Sequence, residues 1–140
     1  EIPIAPGKTS LKKGEFIVSV DIPYRPEFSS DAYLRFTPRT EMDIAVVSAS
    51  VAIEMSKEGI CENAKVVLGA VAPTVKIVGD ASKEIVGTKL DESSLKKMSL
   101  KCVEICKPIS DKRGTVEFRT EVAGVLASRA AKIAYKRAGF

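Results

Sequence analysis

Residues Ile44–Ala72 read IAVVSASVAIEMSKEGICENAKVVLGAVA. Alternation is clear in the first half, with Val47, Ala49, Val51 and Ile53 on one face and Val46, Ser48, Ala52 and Glu54 on the other. This is the period of a half-buried strand. Ser56-Lys57-Glu58-Gly59 is a turn with glycine near its end, and Ile60–Ala72 is a return strand. Its faces are Ala64, Val66, Leu68 and Ala70 against Lys65, Val67, Gly69 and Val71. Gly69 marks either a bulge or a close backbone approach. Strand, turn and strand make an antiparallel pair.

Upstream, Phe16, Val18, Val20 and Ile22 alternate with Ile17, Ser19 and Asp21. That pattern predicts another half-buried strand, ended by Pro23 and Pro26. Tyr33–Thr37 is a short strand before Pro38. The stretch Asp31–Asp43, DAYLRFTPRTEMD, joins these runs. It reads as a basic, function-bearing loop carrying Tyr33, Arg35 and Arg39.

After Pro73 the period lengthens. Thr74–Val78 is a last extended piece, and Asp80 is a candidate N-cap for a short helix to Val86, closed by Gly87. Asp91 caps a second helix with Leu95, Met98, Cys102, Ile105 and Cys106 at helical spacing, stopped by Pro108. A third helix runs from about Thr115 to Lys136. Its apolar stripe is Phe118, Val122, Val125, Leu126 and Ile133, with Arg129 at the edge. Strands first and helices second predict an α+β fold, an antiparallel sheet covered on one face by helices.

Composition narrows the chemistry. The chain has 140 residues with 45% hydrophobic and 29% charged, enough for a single domain with a real core. Histidine is absent, which excludes Ser-His or Cys-His catalysis within the chain. There is no P-loop, GxGxxG, HExxH or CxxC pattern. Cys102 and Cys106 share a helix face, either as half of a metal site or as two small buried apolar residues. A net charge of +4 is mildly basic, but no basic-aromatic signature of nucleic-acid binding accompanies it. No apolar run reaches membrane-span length, and the start lacks a signal-peptide pattern, so cytoplasmic location is the expectation. The abrupt start, without an initiating Met, reads as the C-terminal piece of something longer.

Four segments in order carry a family resemblance: PGKTSLKKGEFIVSVDIP (Pro6–Pro23), PRTEMDIAVVSASVAI (Pro38–Ile53), VVLGAVAPT (Val66–Thr74) and PISDKRGTVEFRTEVAGVLASRA (Pro108–Ala130). Together they resemble the C-terminal domain of the flavin subunit of molybdenum hydroxylases, the carbon monoxide dehydrogenase and xanthine dehydrogenase family. The resemblance implies an antiparallel sheet of three or four strands packed against a three-helix bundle over residues 27–140. Residues 1–26 would then be the end of the FAD-binding portion and a connecting strand.

It further implies FAD, held mainly by an N-terminal portion whose Gly-rich loops lie upstream of Glu1. The implied partners are an iron–sulfur small subunit with [2Fe–2S] clusters and a large subunit with molybdopterin. By the same resemblance Ile17 supplies an apolar flavin contact, and Tyr33 shields the ring. Arg35, eight before the Asp43-Ile44-Ala45 triplet, is the cation that reaches FAD. Lys is usual at that place, and Arg keeps its charge but not its reach. Asp111, Arg113 and Arg119 fit an ion-pair and capping network that holds the last helix. The competing readings are a scaffold that binds no flavin and a basic interaction module.

Overall fold

The computed structural model describes residues 2–39 and 44–140. The Ile44–Ala72 stretch folds as two antiparallel strands, β4 (Val47–Met55) and β5 (Cys61–Gly69). They flank a tight turn in which Gly59 takes a φ of +76°. Two more strands complete the sheet: β3 (Ser29–Phe36) beside β4, and β6 (Lys76–Ile77) beside β5. The order is β3-β4-β5-β6, antiparallel throughout. A separate two-stranded ribbon pairs β1 (Pro3–Ala5) with β2 (Lys8–Thr9).

Three helices follow: α1 (Gly79–Ile85), α2 (Glu92–Glu104) and α3 (Val116–Arg137). α3 lies across β3 and β4, α1 lies on β5, and α2 packs outside on α1 and α3. The inner face of the sheet is therefore the core, with Val47, Val51, Val66 and Leu68 fully buried against the helices. The fold class expected from the order of elements is observed. No described helix is long and apolar enough to cross a membrane.

Several boundaries and faces differ from expectation. The Asp31–Asp43 stretch is not a loop throughout: Asp31–Phe36 belongs to β3, and its last four residues lie outside the described ones. Backbone pairing of Ser29, Ser30 and Asp31 with Glu54, Ile53 and Ala52 of β4 extends the strand upstream of Tyr33. Phe16–Ile22 forms no strand. Among the described residues it meets no pairing partner, and Phe16, Val18 and Ile22 are 75%, 85% and 88% exposed. Alternation supplies a face to bury, but a strand also needs a ladder.

Asp80 is not a cap; it lies in the first turn of α1, where it pairs with Lys83, and Val78 holds the cap position. Asp91 does cap α2, accepting from the Ser94 N–H at 2.8 Å.

On α3 the buried face is mostly small residues, Ala123, Gly124, Ala127, Ala130, Ala131 and Ala134, joined by Leu126 of the expected stripe, while Val122 and Ile133 pack against the core from its edge. Val125 is exposed, as is Arg129. At Gly124 the helix sits too close to α2 for any side chain. A Cβ on Gly124 would come within 2.5 Å of Ser99 Oγ on α2. Against the sheet, the Ser30 hydroxyl donates to the Ala134 carbonyl. Near the helix end, Arg137 Nη1 donates to the Asp31 carbonyl of β3 at 2.9 Å.

Candidate functional site

The outer face of the sheet carries the candidate residues. Alternation on β3 buries Ser30 and Ala32 and turns Asp31, Tyr33 and Arg35 outward. Strand register extends each into a row: Asp31, Ala52 and Lys65; Tyr33, Ser50, Val67 and Ile77; Arg35, Ser48 and Gly69. The middle of this face is a floor, low at Ser48, Ser50, Ala52 and Gly69, with Val67 standing between Ser50 and Ile77. Tyr33, 58% exposed, stands on one side of the floor, and Ile77, 55% exposed, on the other. Three inter-strand spacings make the platform roughly 14 Å wide.

Gly69 keeps one row low. A Cβ there would press on the Ser48 hydroxyl, so this glycine is the close backbone approach, not a bulge. The sheet's irregularity lies at the other end, beside Glu54 and Met55.

Of the three sequence-predicted site residues, the fold brings two together. Tyr33 and Arg35 are adjacent on one strand face. Ile17 belongs to the segment between β2 and β3, outside both sheets, and is 53% exposed. The Asp43 that anchors the spacing to Arg35 lies outside the described residues.

Residues 32–134 match the family described as the CO dehydrogenase flavoprotein C-terminal domain. The chain belongs to that family. The medium chain of carbon monoxide dehydrogenase from Afipia carboxidovorans is 37% identical over 130 residues, which is 93% of this chain and 44% of that protein. Among solved structures, quinoline 2-oxidoreductase from Pseudomonas putida 86 superposes with a TM-score of 0.89 at 27% identity, covering 99% of this chain and 47% of that one. A carbon monoxide dehydrogenase chain from Hydrogenophaga pseudoflava shares the fold, with a TM-score of 0.89 at 24% identity over 96% of this chain and 46% of that one. The chain thus spans under half the length of these relatives.

In this flavoprotein C-terminal domain the Asp111–Arg119 network is architecture, as its spacing suggested. Arg119 is 5% exposed. Its Nη1 donates to the Val46 carbonyl at 2.9 Å and its Nη2 to Asp111 Oδ1 at 2.7 Å. The Arg113 backbone N–H, then Arg119, hold the Asp111 carboxyl below its usual range. Thr115 caps α3 by accepting from the Phe118 N–H. Phe118 in turn meets Phe36 edge-on at 5.4 Å. Val46 N–H donates to the Phe36 carbonyl. The network therefore fixes the end of β3, one residue from Arg35.

The cysteines pack as small apolar residues. All three are free, and among the described residues no group of three or more potential ligands could hold a metal. Burial pushes the Cys102 thiol up to about 12 and the Cys61 thiol up to about 11. Cys106 Sγ donates to the Cys102 carbonyl at 3.1 Å.

The small-residue floor is what reading by sequence missed as a unit. Its signal was present: alternation had already set Ser48 and Ala52 on one face of the first strand and Gly69 beside Lys65 and Val67 on one face of the second. Only cross-strand register shows that they lie side by side.

Proposed function

We propose that this chain is the C-terminal part of the flavin subunit of a molybdo-iron–sulfur-flavoprotein oxidoreductase resembling carbon monoxide dehydrogenase. In this reading, residues 27–140 cover one side of FAD and dock partner subunits. Residues 1–26 complete a preceding FAD-binding portion. The partners are an iron–sulfur small subunit and a molybdenum large subunit in a cytoplasmic complex, with [2Fe–2S] clusters and molybdopterin in those partners.

The observation that carries the reading is the family match across β3, whose outer face holds Tyr33 and Arg35 over a low floor. A planar ring system fits such a platform, with an aromatic side chain and a guanidinium at one border. Bound FAD would supply the electron-accepting chemistry. This chain's residues do simpler work. Arg35 favours negative charge at the ring edge it faces, and Tyr33 limits access of water and acceptor to one ring face. Ile17 adds an apolar contact from the connecting segment. The exposed apolar run around it supports a neighbour that covers it, because soluble proteins seldom leave such patches bare.

The test is to purify the tagged chain from its native cells and record the visible spectrum. Flavin and iron–sulfur bands, with two unequal partner proteins, are expected. A colourless chain that comes down alone under complex-preserving conditions refutes the reading and favours a flavin-free scaffold. Within a coloured complex, Arg35→Ala should lower the flavin reduction potential. An unchanged potential would remove Arg35 from the site.

A further inference from the structure

On the far side of the helix layer, away from the outer sheet face, α2 and α3 enclose an open groove of about 470 Å³. The helices run antiparallel there, so the lining residues fall in three rungs. At one end Lys132 Nζ meets Glu92 Oε1 at 2.6 Å. The middle rung sets Lys96 against Ser128 and Arg129, and the last sets Ser99 against Val125. Gly124 makes this floor shallow, because it lets the α3 backbone close onto Ser99.

Three cations face one carboxylate along the lining. The single carboxylate is committed to Lys132, and that pair is solvent-exposed. Among the described residues, neither Lys96 nor Arg129 has an ion-pair partner. The groove thus offers two adjacent unneutralised cations, two hydroxyls and an exposed valine. The lining runs from Glu92 to Ser99 on α2 and from Val125 to Lys132 on α3, a length of roughly 10 Å, which matches about three residues of extended chain.

We infer that this groove docks a carboxylate-rich segment of a protein partner, with acidic side chains on Lys96 and Arg129 and an apolar side chain over Val125. Two features favour a polypeptide over nucleic acid. The cations form a short cluster, where a phosphate backbone needs a longer track. The floor also holds an apolar residue and lacks a stacking aromatic. The inference stands apart from the flavin reading, since the groove lies on the opposite side of the domain from Tyr33 and Arg35.

The test titrates the full chain with a labelled peptide of alternating Asp and Leu, then with its Asn–Leu counterpart and a random single-stranded oligonucleotide. The Asp–Leu peptide should bind, the Asn–Leu peptide should not, and raised salt should weaken binding. The double variant Lys96→Ala with Arg129→Ala should weaken the Asp–Leu peptide about tenfold, while Lys89→Ala with Lys112→Ala, outside the groove, should change it less than about twofold. Circular dichroism checks that both variants remain folded. Failure of the Asp–Leu peptide to bind, or equal binding by the groove variant, overturns the inference. So does an oligonucleotide that binds more tightly and is lost on the same substitutions, which would make the groove a nucleic-acid site.

Discussion

Arg119→Met tests whether the buried guanidinium is what ties α3 to the site-bearing edge of the sheet. Methionine keeps most of the buried volume, so the loss is polar. The Val46 carbonyl loses its 2.9 Å donor in a region closed to water. An orphaned buried acceptor costs about 1–3 kcal/mol. The Arg119 Nε contact to the Gly114 carbonyl is 3.4 Å long and contributes little. A net destabilisation of about 1–3 kcal/mol follows, with the Asp111 contact left out of the sum because that carboxylate is solvated.

At about 2.1 cal/mol/K per residue over 140 residues, that is a drop in Tm of about 3–10 °C. Thermal unfolding followed by circular dichroism reads it directly. The sign with pH is also fixed. The Asp111 carboxyl is held below its ordinary range, so its contribution is present above the unfolded carboxylate pKa and lost as pH falls through the folded one. The variant has less to lose there, and the gap from the native protein should narrow in acid. A Tm within about 2 °C of the native protein at neutral pH would refute the argument.

Other substitutions set opposing effects against each other. Gly124→Ala gains about 1 kcal/mol of helix propensity. Its Cβ, however, meets Ser99 Oγ at 2.5 Å and the Ser99 carbonyl at 3.1 Å. Overpacking of about 1–3 kcal/mol should win, lowering the urea midpoint, and Ser99→Ala should recover part of it. Gly59→Ala places an L side chain at a φ of +76°, with its Cβ 3.0 Å from the Phe140 ring. A loss of about 1–2 kcal/mol is expected in denaturant titration, whereas an unchanged midpoint would mean that the turn relaxes freely. Cys102 and Cys61 should resist iodoacetamide at mildly alkaline pH, because burial holds both thiols protonated. Mass spectrometry should find all three cysteines alkylated only after urea is added; rapid native labelling of Cys102 would contradict its burial.

The sheet hairpin was legible because a two-residue period on each side brackets a glycine turn, which supplies both the faces and the pairing partner. The Asp91 cap was legible for a similar local reason, since its carboxylate needs only the N–H of Ser94, three residues on. The face of α3 was legible only in part, through Leu126, Val122 and Ile133. Large apolar residues such as Val125 attract attention in a sequence, but the distance to the neighbouring helix and sheet decides what is buried, and here it selects alanine. Phe16–Ile22 shows the complementary error, because alternation records that a surface is to be covered without saying by which strand. For the site, Tyr33 and Arg35 were found through resemblance to a family. Their shared face follows from β3 being a strand up to Phe36, which the short strand read at Tyr33–Thr37 anticipated in part.

The contact from Arg137 to the Asp31 carbonyl bears on how the molecule behaves in crowded solution. β3 is an edge strand, and edges recruit other chains. The ladder bonds at Phe28 and Phe36 use their carbonyls inward. Alternation along the strand then points those of Asp31, Tyr33 and Arg35 outward. With Arg137 already seated on the first of these, and Arg25 paired with the Asp31 side chain, an invading strand meets an obstructed position within β3. The last turn of the final helix thus acts as a guard against polymerisation at the same edge that presents Tyr33 and Arg35.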